Sequence, residues 1–208
     1  MNTYFPDKKD FSLEDFLFSY TDRLSVALKT IDTQSFLDLF NLLSEGIEKN
    51  VSIYTCGNGG SSSIAEHLVC DFVKGASTDS VIQPKVFPLL STPTLTAVAN
   101  DIDYEDVFSY QIEKYGSEND ILLSISSSGN SKNIIKAIEV AKSMKMKTIS
   151  FVGFDGGAAK NISDIAIHVE SENYGVCEDA HHSLMHILAQ FLRLRNIDNS
   201  EKIGNIKF

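Results

Sequence analysis

From residue 51 onward, the sequence alternates between short apolar segments of strand length and longer segments with helical periodicity. Strands are predicted at 51–55, 85–90, 120–126, 147–154 and 164–169. Helices are predicted near 61–74, 93–99, 104–115, 131–145 and 178–196. Strands that alternate with helices favour a parallel sheet with helices on both faces, because parallel strands need long crossover connections. The sequence therefore predicts an α/β fold with a five-stranded parallel sheet.

Two amphipathic segments precede the first strand. Apolar residues recur at helical spacing between Ser12 and Ile31, and again between Gln34 and Lys49. Such stripes either cover the core or form an oligomer interface, and the sequence favours neither. We expect a single domain over 1–208, with a helical pair at 1–50, an α/β core at 51–196 and a tail at 197–208. Residues 1–10 are expected to form a loose arm.

The charge of the chain limits its partners. It has 18 Lys and Arg residues against 28 Asp and Glu residues, which gives a formal net charge of -10. An acidic surface repels nucleic acid and anionic lipid, so neither is an expected partner. A small phosphorylated ligand remains possible, because backbone N–H groups can bind an anion inside a pocket.

The cysteine content and hydropathy indicate a cytoplasmic protein. Three cysteines form no disulfide framework, and this number fits a reducing compartment. No apolar stretch approaches the length of about 20 residues that a membrane-spanning helix needs. The first residues also lack the apolar segment of a signal peptide.

Two loops rich in glycine and serine follow predicted strands and directly precede helices. The first loop is TCGNGGSSS at 55–63, and the second is SSSGNS at 126–131. Such loops bind phosphate through backbone N–H groups, the positive end of the helix and serine hydroxyls. The alternative is that the serines serve only as helix N-caps. Neither loop has the G-x-G-x-x-G spacing or a Walker lysine, which argues against NAD and ATP.

Two groups of potential metal ligands and acid–base residues lie on predicted helices. His67 and Asp71 are four residues apart, so they share one face of the helix after the first loop. The last helix carries Glu178, Asp179, His181, His182 and His186. A carboxylate, an imidazole and a metal ion together suit a proton transfer next to a carbonyl group. Taken alone, His67 favours a hydrogen-bonded structural role, but the cluster in the last helix favours a functional one. His168 on a strand is interpreted as structural.

Four features together resemble one protein family. They are CGNGGS before a helix, NDIDYEDVFS at 100–109, LLSISSSGNSKNIIKAI at 122–138, and the histidine-rich last helix. The sequence resembles the phosphoheptose isomerases of the sugar isomerase (SIS) superfamily, over residues 15–195. The resemblance implies a flavodoxin-like SIS domain that assembles as a homotetramer and commonly binds zinc. It also implies interconversion of sedoheptulose 7-phosphate and D-glycero-D-manno-heptose 7-phosphate, or of a related sugar phosphate, in lipopolysaccharide or capsule heptose biosynthesis.

The resemblance also assigns roles to residues of this chain. Asp71 and His186 match the catalytic positions. One zinc ion per subunit would be held by His67, Asp71, Glu178 and His186. The substrate-binding positions are Asn58, Gly59, Ser61, Lys74, Asn100, Asp101, Ser126, Ser127, Ser128 and Ser131.

The chain departs from the family pattern at three positions. Asp71 stands where the family has Glu, Glu178 stands where it has Gln, and Lys74-Gly75 stands where it usually has Gly-Arg. The departures are compatible with a different sugar phosphate, and they leave open a loss of isomerase activity. By helical angle, Asp179 is closer to His186 than Glu178 is. Glu178 is nevertheless retained, because it falls near the predicted helix start, where regular spacing need not hold.

Two other function classes are compatible with an SIS domain. One is a non-catalytic sugar-phosphate-binding protein that acts through a protein partner. The presence of His186 favours an enzyme over this alternative. The other is a transcription regulator, which an N-terminal DNA-binding domain and a basic charge would indicate, and neither is found.

The cysteines are expected to be inert. Cys70 and His67 form an H-x-x-C pair, and thiolate is a good zinc ligand. The apolar neighbours of Cys70, which are Val69 and Phe72, nevertheless predict that its thiol is buried. Cys56, at a strand end, is interpreted as a small apolar filler.

Overall fold

The computed structural model describes residues 5–199, 201 and 203. Its α-helices are α1 (Leu13–Lys29), α2 (Thr33–Glu48), α3 (Gly60–Cys70), α4 (Thr92–Asp101), α5 (Ser109–Tyr115), α6 (Lys132–Ser143), α7 (Gly157–Ile162) and α8 (Tyr174–Asn196). A π-helix at Asp71–Ala76 continues α3, and a 3₁₀ turn spans Tyr104–Asp106. The strands are β1 (Ser52–Gly57), β2 (Lys85–Pro88), β3 (Ile121–Ser126), β4 (Lys147–Val152) and β5 (Ile165–His168).

All five strands are parallel, in the spatial order β2-β1-β3-β4-β5. This is the doubly wound order of flavodoxin-like folds, in which ligands bind outside the carboxyl ends of the strands where the winding reverses. Here the winding reverses between β1 and β3. The predicted five-stranded parallel sheet, with surrounding helices and an N-terminal helical pair, is confirmed.

The core lies around β3 and β4. Every residue of β3 is buried, and on β4 only Lys147 is exposed. The apolar stripe of α6 (Ile134, Ala137, Ile138 and Ala141) is also fully buried. Strands covered on both sides read as nearly continuous apolar runs, which is why these two strands could be recognised in the sequence.

Strand β2 lies at the edge of the sheet and ends at Pro88, two residues earlier than predicted. Proline has no N–H group for a hydrogen-bond ladder, so it is tolerated at an edge and not in a central strand. Pro88 is paired with Thr55 at the last position of the register.

The two N-terminal helices differ in what they bury. The side chains of Ser12 and Asp32 cap α1 and α2 respectively. On α2, Leu39 and Leu43 are fully buried and cover the core. On α1, large apolar side chains remain exposed, among them Leu17 and Phe18. The exposed side of α1, together with Leu37 on α2, is therefore suited to an interface.

Several predicted helix boundaries were wrong. The predicted helix at 61–74 changes to a π-helix at Asp71, and the one at 104–115 is divided into a 3₁₀ turn and α5. The short helix α7 was not predicted, because it has only six residues and begins at a glycine. Helix α8 begins at Tyr174, where Asn173 caps it by accepting from the N–H of Val176 (3.0 Å).

Because α8 begins at Tyr174, Glu178 lies inside the regular helix and not at its first turn. The expectation that regular helical spacing need not hold at Glu178 is therefore wrong.

Among the described helices, none is both long and apolar enough to cross a membrane. The first four residues of the predicted arm, and residues 200, 202 and 204–208 of the predicted tail, lie outside the described part of the chain.

Candidate active site

The two predicted phosphate loops lie side by side at the carboxyl edge of the sheet. Strands β1 and β3 are neighbours, and Gly57 at the end of β1 is paired with Ile125 in β3. The first loop leads directly into α3, and the second leads into α6. The fold therefore brings both loops to the point where an α/β sheet binds its ligand.

Glycines shape the first loop. A Cβ atom on Gly57 would lie 2.6 Å from the carbonyl oxygen of Ser61, so a larger residue would displace the start of α3. Gly59 precedes α3 with a φ of 54°, in the left-handed region that favours glycine. A Cβ atom on Gly59 would meet no atom within 4 Å, so space is open there for a ligand. Ser61 is buried in the first turn of α3.

The serine hydroxyls of the second loop are free to donate hydrogen bonds. The N–H of Gly129 donates to Oγ of Ser126 (3.2 Å), and the N–H of Asn130 donates to Oγ of Ser128 (3.3 Å). Oγ of Ser127 is buried and forms no hydrogen bond with the described residues. Each hydroxyl thus keeps its proton for an acceptor such as a phosphate oxygen.

The alternative that these serines act only as N-caps is not supported by the contacts. Ser131 occupies the N-cap position of α6, but its side chain makes no capping hydrogen bond. At α3 the N-cap position is a glycine, Gly59, so no side chain caps that helix either. Buried polar groups are almost always paired, and an unpaired buried hydroxyl beside a helix N-terminus is consistent with an anion site.

The connection after β4 holds the second loop in place. A Cβ atom on Gly129, which has a φ of 63°, would lie 2.0 Å from the carbonyl oxygen of Gly156. The N–H of Ala159 donates to the carbonyl of Gly129 (2.9 Å). Oδ1 of Asn130 accepts from the N–H of Ala158 (3.0 Å) and so caps α7. The loop backbone is therefore fixed before any ligand binds.

Asn58, a predicted substrate contact, is fixed by two neighbours. Its side-chain amide exchanges two hydrogen bonds of 2.9 Å with the amide of Asn133 on α6. The hydroxyl of Tyr104 donates to Oδ1 of Asn58 (3.0 Å). Ion pairs from Lys132 and Lys136 of α6 to the residues after Tyr104 hold the same segment. The first loop, α6 and the segment near 104 are thereby joined.

Three predicted substrate residues lie on the surface. Nδ2 of Asn100 donates to Oδ1 of Asp101 (2.8 Å) at the end of α4, and both side chains are exposed. Lys74 is exposed on the π-helix. Contacts with a ligand remain predictions for all three.

A cluster of three imidazoles and one carboxylate lies between α3 and α8. Nε2 of His182 is 2.8 Å from Nδ1 of His67, and Nδ1 of His186 is 2.6 Å from Oδ2 of Asp71. Nε2 of His67 is 3.4 Å from Oδ1 of the same carboxylate. One nitrogen from each histidine lies within 4.8 Å of the other two, an arrangement able to hold a metal ion.

The side chains of the cluster differ in how far they are exposed to solvent. Asp71 is largely buried, whereas His67 and His186 have 42% and 37% of their side chains exposed. Partial burial lowers the pKa of His182, and the charges of His67 and His186 lower it further. His182 therefore favours the neutral form, which is the form that binds metal.

Glu178 forms no hydrogen bond or ion pair with the histidine cluster. Its carboxylate covers Gly60, where a Cβ atom would lie 2.4 Å from Oε2 of Glu178. It forms no hydrogen bond or ion pair with the described residues, and burial, with a smaller effect from Asp179, raises its pKa. The carboxylate thus lies at the start of α3, next to the first loop, and its predicted role as a metal ligand remains untested.

Three further polar residues lie outside the cluster, and two of them, Asp179 and His168, have structural partners. The carboxylate of Asp179 accepts from the hydroxyl of Tyr20 on α1 (2.6 Å). Asp179, which is closer than Glu178 to His186 by helical angle, is therefore engaged in a contact with α1. His181 is fully buried, and burial lowers its pKa to about 4, so its ring is neutral. His168 contacts Lys160 and the carbonyl of Phe154, consistent with a structural role.

The sequence analysis named His182 among the polar residues of the last helix but left it out of the ligand set, and it missed Tyr104 and Asn133 as parts of the site. His182 has a signal in the sequence, because it lies four residues before His186 and shares its helix face. Tyr104 lies inside the motif at 100–109, but nothing in its spacing shows that it contacts Asn58. Asn133 follows the second loop at a helical position without a distinguishing pattern.

The prediction that Cys70 is buried was wrong. Cys70 is exposed, whereas Cys56 and Cys177 are buried, and all three thiols are free. Cys70 and Val73 lie on the outer side of the helix, while Phe72 points into the core. Burial raises the pKa of Cys56 to about 12, consistent with an inert filler.

A cleft of about 1040 Å³ lies away from the cluster, between the N-terminal segment, α1 and the connection after β5. None of the predicted site residues lines it. The histidine cluster instead lies at the surface, with its side chains partly exposed.

The fold is that of an SIS-domain protein, and residues 15–153 match the family described as the SIS domain. The chain is 41% identical over 148 residues to the phosphoheptose isomerase of Helicobacter pylori strain P12, covering 71% of this chain and 77% of that protein. It is 33% identical over 189 residues to that of Coxiella burnetii, covering 88% of this chain and 95% of that protein.

A solved structure of a phosphoheptose isomerase has the same fold. The phosphoheptose isomerase of Francisella tularensis superposes with a TM-score of 0.81 at 27% identity, covering 88% of this chain and all of that one. The chain therefore belongs to the phosphoheptose isomerase family, a family of phosphosugar isomerases.

Proposed function

We propose that this phosphosugar isomerase interconverts sedoheptulose 7-phosphate and D-glycero-D-manno-heptose 7-phosphate, or a closely related ketose and aldose phosphate. The names of its relatives support the substrate class. The observation that carries the proposal is the pairing of a fixed loop rich in hydroxyl donors with an acid–base cluster between α3 and α8. The loop would bind the phosphate, and the cluster would act on the two carbons between which the proton moves.

The phosphate would bind at the second loop. Ser126, Ser127 and Ser128 keep their hydroxyl protons, and the first turn of α6 supplies N–H groups and positive potential. Ser131 and Ser61 would contribute further hydroxyls. The loop needs no lysine or arginine for this, which explains how a chain with a net charge of -10 can bind an anion.

Asp71 and His186 would take part in the proton transfer. An aldose–ketose isomerisation moves a proton between C1 and C2 through an enediol, so a group must accept and return that proton. Asp71 and His186 are hydrogen-bonded to each other, and the carboxylate fixes the orientation of the ring. Asn58, Gly59, Asn100, Asp101 and Lys74 are proposed to contact the sugar.

A divalent ion, proposed to be zinc at one per subunit, is compatible with the residues present. The imidazoles of His67, His182 and His186 place one nitrogen each within 4.8 Å of the others. When bound, the ion would stabilise the negative charge that develops on the sugar oxygens. The ligand set expected from the sequence is His67, Asp71, Glu178 and His186.

Assembly as a homotetramer and a reducing, cytoplasmic location complete the proposal. Exposed apolar side chains on α1 and α8, among them Phe18 and Ile187, support assembly. Three free cysteines support a reducing compartment. Heptose biosynthesis for lipopolysaccharide or capsule is the proposed context.

The test is an assay with ketose phosphates of five to seven carbons, with detection of aldose phosphates. We expect turnover of the seven-carbon substrate or of one neighbour in the series. Phosphosugar binding without aldose formation from any member would instead support the non-catalytic alternative.

A further inference from the structure

Helices α3 and α8 run in the same direction, in a register that places His182 beside His67 and His186 beside Asp71. Both pairs are separated by 115 residues in the sequence. The rings of His182 and His186, one turn apart on α8, are stacked with their centroids 4.9 Å apart. Glu178 lies another turn toward the start of α8 and reaches Gly60, at the start of α3. The register thus places His182, and not Glu178, next to His67.

The carboxylate of Asp71 determines which imidazole nitrogens are available. An ionised carboxylate only accepts hydrogen bonds, so Nδ1 of His186 carries the proton that faces it. The same argument places a proton on Nε2 of His67, 3.4 Å from the carboxylate. In the neutral rings, the lone pairs are then on Nε2 of His186 and Nδ1 of His67. Carboxylates that hold metal-binding histidines in this way are a common outer layer of metal sites.

Nε2 of His182 faces the lone pair of His67 and donates its proton to it, so the ring of His182 must change tautomer to offer Nε2 to an ion. The two nitrogens are 2.8 Å apart, somewhat closer than the distance of about 3.3 Å between two nitrogen ligands of a tetrahedral zinc ion. Side chains that are partly exposed can separate by this amount without a change in the helices. Side-chain rotations would have to bring to one ion three nitrogens that lie within 4.8 Å of one another.

We propose that His67, His182 and His186 form a three-histidine metal site, with Asp71 behind it as the carboxylate that positions two of the rings. The inference rests on the proposed function and changes the ligand set expected from the sequence. His182 becomes a ligand, Glu178 does not bind the ion, and Asp71 acts through the histidines.

The assignment affects the proton transfer as well. In this arrangement the ion would occupy Nε2 of His186, which would make His186 a ligand and not the proton-transfer group proposed above. A carboxylate open to the sugar would then accept and return the proton. Glu178 is the carboxylate of the site that has no hydrogen-bond partner among the described residues, and it lies beside the first loop. It is therefore the group open to a bound sugar.

The test compares His182→Ala with Glu178→Ala, a matched control one turn earlier on the same helix. Protein stripped of metal is titrated with zinc against a chromophoric chelator. We expect His182→Ala to weaken zinc binding by more than about 100-fold, since loss of an outer partner alone costs about 10- to 100-fold. Asp71→Asn, which removes an outer partner, should fall in that lower range. Glu178→Ala should change the zinc affinity less than about 3-fold, because Glu178 is neither a ligand nor an outer partner in this assignment. Circular dichroism checks the fold, and His182→Gln provides a second variant.

A count of imidazoles gives an independent readout. Pulsed electron paramagnetic resonance of the copper-loaded protein should detect three coordinated imidazoles in the wild type and two in His182→Ala. Two imidazoles in the wild type, unchanged in His182→Ala, would overturn the inference, as would failure of the wild type to bind any divalent ion. Isomerase activity in protein that binds no metal would overturn the inference alone and leave the proposed function standing.

Discussion

Nδ1 of His186 lies 2.6 Å from Oδ2 of Asp71, across the contact between α8 and the π-helix that follows α3. Further along the same contact, Nε of Arg193 donates to the carbonyl of Thr78 (2.9 Å), again with a separation of 115 residues. The register between the two helices is thus held over several turns. The π-helix begins at Asp71 itself, and such insertions are frequent at functional sites.

Replacement of His186 by alanine should abolish turnover without loss of the fold. His186 is proposed as an acid–base group or a metal ligand, and removal of a proton-transfer group typically lowers kcat by about 10²- to 10⁴-fold. The steady-state rate with the best ketose phosphate is the measurement. Gln190→Ala, on the exposed face one turn later, is the matched control and should keep the wild-type rate. Full activity in His186→Ala would exclude His186 from the mechanism.

Removal of the loop hydroxyls should weaken phosphate binding. Ser128→Ala and Ser131→Ala each remove a donor to a charged group, which costs roughly 1.5–3 kcal/mol, or about 10- to 100-fold in Kd. Calorimetry with a sugar phosphate measures the effect, and the melting temperature should stay close to that of the wild type. Ser143→Ala, at the far end of α6, is the control. Unchanged binding in both loop variants would place the phosphate elsewhere.

Tyr104→Phe should loosen Asn58 and raise KM. The substitution removes one neutral hydrogen bond, worth roughly 0.5–1.5 kcal/mol, so KM should rise by about 2- to 10-fold with a smaller effect on kcat. Tyr110→Phe, on the exposed side of α5, is the control. The same change in both variants would show that the hydrogen bond to Asn58 has no part in substrate binding.

Cys70 should be the one thiol of the three that reacts rapidly with a disulfide reagent at pH 8. It is exposed, whereas Cys56 and Cys177 are buried, and burial raises the pKa of Cys56 to about 12. A thiol with a pKa that far above the solution pH is almost entirely protonated and unreactive. Spectrophotometric thiol titration of the native protein, beside Cys70→Ser, is the measurement. A fast phase that persists in Cys70→Ser would contradict the burial of the other two cysteines.

The sheet and the adjacency of the two loops could be predicted from the sequence for physical reasons. Buried parallel strands are continuous apolar runs, and parallel strands end at one edge, so loops that follow β1 and β3 had to be neighbours. The pairing between α3 and α8 could not be predicted in the same way. It depends on the axial register of two helices far apart in the chain, and no local pattern encodes this register.

The start of α8 shows how one boundary affects a site. The segment before Glu178 contains a glycine and a tyrosine and lacks a clear stripe, so the helix was predicted to start four residues late. With the observed start, Glu178, His182 and His186 lie on three successive turns. His182 was therefore the nearest candidate to join His186 opposite the pair of His67 and Asp71.

The most direct test of the proposed function is isomerisation in deuterated water, followed by NMR and mass spectrometry. With sedoheptulose 7-phosphate, or the best ketose phosphate of the series, we expect aldose phosphate that carries deuterium from solvent at C2. Deuterium should also accumulate in the ketose at C1 as the reaction returns, because an enediol exchanges its proton with solvent through the acid–base group. His186→Ala should give neither product nor exchange. Aldose product without any deuterium after many turnovers, or no product and no exchange with any substrate, would contradict proton transfer at this site.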